Sequence, residues 1–519
     1  MSSSSTDAGT PWWRDAVVYQ IYPRSFADAD GDGVGDLAGI TGKLDHIAEL
    51  GVDALWLSPI FTSPMRDFGY DVADYCSIDP LFGTDADFDE LVAGVHERGM
   101  RLLLDWVPNH TSSDHPWFVE SRSSRDNPRR DWYVWRDRHA DGSPPTNWMS
   151  QFKGVPAWTH DDDTDQSYLH VFLAEQPDLN WANPDVEAAM LATLRYWLDR
   201  GVDGFRADVV HLIGKGDDVD DLPDHLVTMP VLAIDRPFGH EVLRRIRSLL
   251  DSYDHQPMMV GEVYLLREGE SASYLGDLDG GAPELHLSFD FRPLHTPWRA
   301  DRMQSALSRM EDEFAEPRWP TFVLSNHDRS RHRTRYGTEA RARAAAVLEL
   351  TVRGTPFLYA GEELGLEDAV VPPERVVDPD GRDGCRAPIP WTADGDGDTG
   401  HGWPTRPWLP FPANASTHAL DVQVGDPSSM FSLYRSLLAL RREHAVLRRG
   451  TIEFAPLAGE VIRFERRLGA ERIVVLVNLG GDVTWPTDLA DATVLLSTHV
   501  DRSSPGPDLA ADEAVVLRS

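Results

Sequence analysis

Apolar positions recur along this chain with two periods, and the two periods alternate. Leu44, Ile47 and Ala48 share one helical face, Gly51 ends that pattern, and Val52 to Leu57 follows as a strand. The same order returns with Phe88, Leu91, Val92 and Val95, a stop at Gly99, and a strand from Arg101 to Asp105. It returns again after Asn183-Pro184, a cap and first-turn pair. Leu194, Trp197 and Leu198 line the face there, Gly201 ends it, and Val202 to Asp208 is the strand. Glycine just past a helix supplies the left-handed turn that reverses the chain. Short apolar strands alternating with amphipathic helices predict parallel βαβ units.

Eight strands are predicted: Ala16–Tyr22, Ala54–Ser58, Arg101–Val107, Gly204–Asp208, Met258–Val263, His286–Phe291, Thr321–Ser325 and Thr355–Tyr359. Eight such units predict an α/β fold of the closed (β/α)8 (TIM) barrel type. An open doubly wound sheet is the alternative, but the glycine fingerprint expected after its first strand is missing. Residues 109–179, rich in Trp, Asp, Ser and Pro, are too long for a loop and predict a small domain inserted after strand three. The barrel then occupies 1–108 and 180–445. Beyond the helix around Phe431, Tyr434, Leu437 and Leu438, runs such as Val461–Phe464 and Ile473–Val477 predict a C-terminal all-β sandwich over 446–519.

Composition narrows the function. The 519 residues are 41% hydrophobic and 26% charged, with 49 basic and 85 acidic side chains and a net charge of −36. Such a surface repels phosphate backbones, which argues against a nucleic-acid partner. No run approaches the ~20 apolar residues of a membrane span. Met1–Thr10 has neither a basic nor an apolar signal-peptide region and reads as a disordered lead-in. Two cysteines, Cys76 and Cys385, make no disulfide framework and fit free thiols in a cytoplasmic protein.

In a barrel the chemistry sits at the C-terminal strand ends. Here those ends read Asp105-Trp-Val-Pro-Asn109-His110, Phe205-Arg206-Ala-Asp208, Gly261-Glu262-Val263 and Ser325-Asn326-His327-Asp328. Arg206 and Asp208 are two apart and share a face, so the guanidinium can hold the carboxylate ionised and aimed.

These segments identify the chain as resembling the α-amylase superfamily, glycoside hydrolase family 13. Gln176-Pro-Asp-Leu-Asn180 resembles its oligo-1,6-glucosidase group, which holds α-glucosidases, isomaltases and related transferases. The resemblance implies Asp208 as nucleophile, Glu262 as acid/base and Asp328 as transition-state stabiliser. The two reacting carboxyl groups should then lie about 5–5.5 Å apart, the spacing of retention. It implies sugar contacts from His110, His327 and Arg206, with a core histidine as the alternative for each imidazole. Asp67-Phe-Gly-Tyr70 and Arg382-Asp-Gly-Cys-Arg386 resemble the segments that build a terminal-glucose pocket, with Arg382 paired to Asp67. Phe172 reads either as lining the aglycone side or as a core aromatic. Val209 is expected to border that side, and in the resembling enzymes valine there accompanies α-1,6 activity.

Asp28, Asp30, Asp32 and Asp36 stand at positions 1, 3, 5 and 9 of an EF-hand-like loop, with the Val34 carbonyl at position 7 and Gly33 at the turn. Gly39 replaces the bidentate glutamate. Oxygen donors favour a structural Ca²⁺, with Mg²⁺ as the alternative ion and an acidic surface turn as the metal-free reading.

The expected activity is retaining, exo-acting hydrolysis of terminal α-linked glucose from short oligosaccharides or α-glucosides, with transglucosylation. The rival enzymes are a sucrose isomerase, a trehalose synthase or an amylosucrase-like transferase, although Pro293–Trp298 stands where isomerases carry an arginine-rich segment. Non-catalytic transporter subunits share the barrel but need a membrane anchor and lack the full acid set.

Overall fold

The computed structural model describes residues 9–519 apart from 153, 216–218, 233–234, 266–268 and 379; most of the Ser-rich lead-in lies outside the described residues. Eight parallel strands form one sheet: β1 (Val18–Ile21), β2 (Ala54–Leu57), β3 (Arg101–Trp106), β4 (Gly204–Ala207), β5 (Met258–Gly261), β6 (Leu287–Ser288), β7 (Thr321–Val323) and β8 (Thr355–Tyr359). Their order is β6-β5-β4-β3-β2-β1-β8-β7, so a barrel closes between β6 and β7. All eight fall inside the predicted spans; β8 matches its span and the other seven are shorter, because the chain leaves the ladder before the residues that carry chemistry.

Side-chain alternation divides the strands between two cores. Val18, Trp56, Leu103, Val260, Leu287 and Phe357 fill the barrel interior. Tyr19, Leu55, Leu102, Leu104 and Phe205 face the surrounding helices. Those helices are α1 (Leu44–Leu50), α2 (Asp85–Glu97), α3 (Pro184–Asp199), α4 (Pro237–Leu250), α5 (Ala300–Glu313), α6 (Glu339–Thr351) and α7 (Met430–Glu443). Thr84 and Asp87 form a reciprocal capping box on α2. Asn183 accepts from Asp185 N at the start of α3, with Pro184 in its first turn. Gly51 ends α1 at φ +101°, as the left-handed position requires. Between β5 and β6 the described residues hold the four-residue helix Glu270–Ser273 and a two-stranded pair, Gly276–Asp277 with Ala282–Pro283.

After β3 the chain builds a three-stranded antiparallel sheet, ordered Trp135–Arg136, Gln166–Leu169, Trp158–Asp161. Its apolar face, including Trp148, Trp158, Leu169 and Val171, packs with Val209, Leu212 and Val231 from the segment after β4. That contact brings the long insertion over the strand ends.

The C-terminal five-stranded antiparallel sheet is ordered β9 (Thr451–Phe454), β10 (Val461–Leu468), β11 (Glu471–Asn478), β13 (Ala514–Arg518), β12 (Thr493–Ser497). One face, with Ile462, Phe464, Val475 and Val516, joins the core around the barrel helices. The other, with Val474, Leu476 and Leu517, is covered by Trp485, Leu489 and Leu509. The second layer is thin: a two-stranded pair, Val483–Thr484 with Asp508–Leu509, and one short turn.

At the barrel seam a side chain does what a backbone ladder does elsewhere. Thr321 Oγ1 accepts from Asp290 N and donates to Ser288 O, each at 3.1 Å, and the residue is fully buried. Thr321→Val keeps the shape and leaves Asp290 N–H without that acceptor, a loss of about 1–3 kcal/mol. Thermal unfolding should show a lower midpoint for the variant; an unchanged midpoint would mean the seam is held by packing alone.

Candidate active site

A cavity of about 430 Å³ opens at the C-terminal strand ends. Its wall includes Asp208, Glu262 and Asp328 with Asp67, Tyr70, His110, Phe172, Val209 and Arg382. The three acids expected to do the chemistry, together with five of the eight expected sugar contacts, therefore share one chamber.

Arg206 lies beneath it. Strand register places Arg206 beside Asp105 on β3 and Val260 on β5. Its guanidinium rests on the Trp56 ring, 5.4 Å from the centroid. Nη1 donates to Asp105 Oδ1 at 2.8 Å and to Asp208 Oδ1 at 2.5 Å, while Nη2 donates to Glu262 Oε2. One fork therefore ties nucleophile and acid/base candidates together. Burial pushes the Asp208 carboxyl well above the ordinary range, Arg206 pulls it back, and Glu262 and Asp105 push it up again. Burial likewise raises Asp105, to about 6, against Arg206. Asp105 and Asp208, buried beside one cation, therefore titrate as a pair and not singly.

Val209 adds to this arrangement. At φ +33° it is a β-branched residue in a region such residues avoid, and its N–H points to Glu262 Oε2 at 3.2 Å. Chain strain next to Asp208 thus supplies a donor to its partner acid.

The far end of the chamber is closed by Arg382. Nη2 donates to Asp67 Oδ1 at 2.8 Å and to Asp378 Oδ1 at 2.6 Å, and Nη1 donates to Asp328 Oδ1 at 3.1 Å. Asp67 stands on a turn with Met65, Phe68 and Gly69 all at positive φ, and its N–H is held by Asp71 Oδ1 at 3.0 Å. Gln176 Nε2 donates to the other Asp67 oxygen at 3.1 Å. Burial alone would raise the Asp328 carboxyl, and His327, Arg382 and Arg386 together hold it well below the carboxylate range. Burial keeps the His327 imidazole itself neutral, down to about 3, so at neutral pH the two arginines supply the charge.

Three expected sugar contacts lie behind the wall. Arg206 is 3% exposed at its side chain and faces carboxylates, not the chamber. His327 is stacked between Tyr70 and Tyr22. Its Nδ1 accepts from Gln20 Nε2 at 2.8 Å, which leaves a proton on Nε2 for the Tyr70 hydroxyl at 2.7 Å. Arg386, 1% exposed, donates to Asp328 Oδ1, Asp378 Oδ1 and the His327 carbonyl. These residues orient their neighbours. His110 does line the wall, and burial holds its imidazole down to about 3. Phe172 lines it as well, against His110 and Phe152 at 5.2 and 5.6 Å. Phe152 also covers the Arg382 guanidinium, 5.4 Å away.

Several supports carry no sequence signal of their own. Asp378 matches Arg382 only as one of many i,i+4 pairs. Lys215, fully buried, donates to Asn109 Oδ1 and lies 3.3 Å from Asp178 Oδ2. It joins the end of β3, the QPDLN segment and the loop after β4 through one ammonium.

Away from the chamber, carboxylate oxygens of Asp28, Asp30 and Asp36 come within 4.8 Å of one another. Asp32 is exposed and outside that set, its Oδ1 accepting from Val34 N at 2.7 Å. Gly33, at φ +92°, lies under the Arg406 carbonyl, which a Cβ there would approach to 2.5 Å.

The profile "Alpha amylase, catalytic domain" matches residues 20–450. The chain belongs to the α-amylase family, glycoside hydrolase family 13. Within the family it is 42% identical over 511 residues to a "Probable alpha-glucosidase" of Rhizobium meliloti (strain 1021), covering 93% of this chain and 92% of the relative. It is 36% identical to an oligo-1,6-glucosidase of Parageobacillus thermoglucosidasius, covering 90% of each. Among solved structures, an α-glucosyl transfer enzyme, XgtA, superposes with TM-score 0.89 at 39% identity, over 98% of this chain and all of the other. The trehalulose synthase MutB of Pseudomonas mesoacidophila MX-45 gives 0.91 at 32%, with the same coverage. These relatives place the chain in the oligo-1,6-glucosidase group of this α-amylase family.

The cluster around Arg206 makes a pH prediction. Asp105→Asn removes one negative charge beside Asp208, so that carboxyl releases its proton more easily. If Asp208 is the group that must be ionised, the acid limb of the kcat/KM profile should move to lower pH. A limb at the wild-type pH would show that the Asp105 charge does not act on Asp208.

Proposed function

We propose that this protein is a retaining, exo-acting α-glucosidase that hydrolyses terminal α-linked glucose from short oligosaccharides and α-glucosides, and also transfers it. The observation that carries the reading is the single Arg206 fork under both Asp208 and Glu262, beside a chamber closed by Arg382. A shared fork supports the short carboxyl separation, about 5–5.5 Å, that accompanies retention.

In this reading a terminal glucose enters with its distal hydroxyls toward Asp67, Arg382 and Asp328. Asp208 attacks the anomeric carbon while Glu262 protonates the leaving oxygen. The glucosyl group then sits as an ester on Asp208. Glu262, now a carboxylate, removes a proton from water or from a sugar hydroxyl, which attacks the same carbon and restores the α configuration. Asp328, held anionic by its arginines, stabilises the positive charge that develops on the ring. Phe152, Phe172, Val209, Met229, Val231, Leu232 and Tyr264 give the wall its apolar side, which suits the face of an acceptor sugar and supports transfer beside hydrolysis. Transfer within the same molecule, as in sucrose isomerases, is the second reading, supported by the closeness of this fold to trehalulose synthase. The substrate is small, and among the described residues no helix is long and apolar enough to cross a membrane. We place the protein in the cytoplasm, where Cys76 and Cys385 stay as the free thiols they are here.

Asp208→Ala should abolish turnover of an aryl α-glucoside, and added azide should restore some product, of β configuration. Glu262→Ala should retain activity on substrates with good leaving groups. Normal turnover by Asp208→Ala would sink the assignment. Product analysis with maltose, isomaltose, sucrose and trehalose separates the two readings: free glucose as main product supports hydrolysis, and an isomer of sucrose supports isomerisation.

The metal belongs to the same reading. Asp28, Asp30 and Asp36 would hold Ca²⁺, or Mg²⁺ in its place, with Asp32 of the expected set turned away, and the ion would pin the first βα loop without touching the reaction. Binding only to the folded loop adds stability by mass action. Strong chelation should therefore lower Tm without changing the order of substrate preference. An unmoved Tm together with no metal by elemental analysis would exclude the site.

A further inference from the structure

At the opposite end of the barrel, where β1, β2 and β3 begin, lies a second cavity of about 520 Å³ with a different character. Five arginines contribute to its wall, against two carboxylates, Asp15 and Asp53. On a chain whose net charge is −36, a wall with this excess of positive charge is the reverse of the surface as a whole.

Two of the five are balanced. Arg449 holds Asp15 through Nε and Nη2, at 2.5–3.0 Å. Arg101 donates to Asp203 at 2.9 Å and lies over the Trp12 ring at 4.6 Å. The other three are bonded mainly to backbone. Arg441, 2% exposed, donates to the carbonyls of Leu350, Leu447 and Gly354. Arg442 donates to Gly51 O at 2.8 Å, with Asp53 at 3.8 Å, and Arg448 donates to Arg442 O at 2.9 Å. The Nε atoms of Arg441 and Arg448 are buried and have no partner. Carbonyls satisfy donors but do not neutralise charge. Three guanidinium groups therefore face Asp53, which already accepts from Val17 N at 2.9 Å.

We propose that this cavity binds a phosphate dianion, free or as a phosphate monoester. Guanidinium forks match phosphate oxygens in pairs, and a dianion balances the residual charge that one aspartate leaves. The volume exceeds that of an ion alone. A neighbouring cavity of about 370 Å³ shares Thr10, Trp12 and Gln256 with it, so a compact organic body attached to the phosphate would lie along Trp12. The site ties α7 to the starts of three barrel strands, so its ligand acts on the stability of the barrel from the face remote from Asp208.

The test is thermal unfolding of the full chain at constant ionic strength, with chloride replaced by inorganic phosphate or by glucose 6-phosphate, and glucose as the uncharged control. Wild type should show a saturating rise in Tm of about 1–3 °C with the phosphates beyond that with glucose. Arg442→Gln/Arg448→Gln should lose the rise, with an affinity by calorimetry at least about tenfold weaker, and the exposed Arg138→Gln should keep it. Tighter binding of glucose 6-phosphate assigns the monoester, and equal affinities assign free phosphate. No rise beyond chloride, or the same rise in the double variant, overturns the proposal.

Discussion

A guanidinium buried among three carboxyl groups is the constraint on which the rest of this structure turns. Arg206 touches Asp105, Asp208 and Glu262 with two nitrogens, and Trp56 lies against its flat face. Removing the cation would strand several buried acids, and breaking even one buried pair typically costs about 3–5 kcal/mol. The geometry is set by the ladder: β3 and β4 pair so that Asp105 stands next to Arg206, and β5 places Glu262 just beyond its last paired residue. Barrel closure and reactive-group spacing are thus one problem, with Thr321 at the seam completing the circuit that keeps the register.

Much of this was legible in the sequence because parallel strands are buried on both faces and stand out as compact apolar runs between helical patterns. Period-two alternation was enough to place Arg206 and Asp208 on one face and at one rim. What a single chain does not display is register between strands. Nothing local says that Asp105 lies opposite Arg206, so Asp105 passes as one more strand-end acid. Nor does spacing tell an arginine in front of an acid from one behind it. Arg382 and Arg386 are four apart in one motif; the first reaches the chamber, and the second is buried beside Asp328. Nor does spacing show that the His327 imidazole is sandwiched between two tyrosines beside Asp328.

The loop from Asp28 to Asp36 illustrates a related limit. Five oxygens at EF-hand spacing were readable, but only three carboxylates converge, because the Asp32 carboxylate turns back on its own chain to accept from Val34. Gly33 does more than turn the chain: the Arg406 backbone crosses it too closely for a side chain, and Trp408 N donates to its carbonyl at 2.9 Å. The loop is therefore part of the packing between the first strand's exit and a segment nearly four hundred residues away.

The Arg382 clasp across the end of the chamber has a consequence for how such a catalyst experiences its diet. A blind-ended socket accepts a chain only by its tip, so what it senses is the number of tips in solution, not the mass of carbohydrate. At equal weight, a mixture of disaccharides offers many more openings for reaction than a few long polymers do. Progress on a long linear chain never multiplies its tips, because each cut removes one unit and leaves one tip behind. In the exo-acting reading proposed above, the clasp makes the molecule a finisher, suited to carbohydrate that other activities have already fragmented.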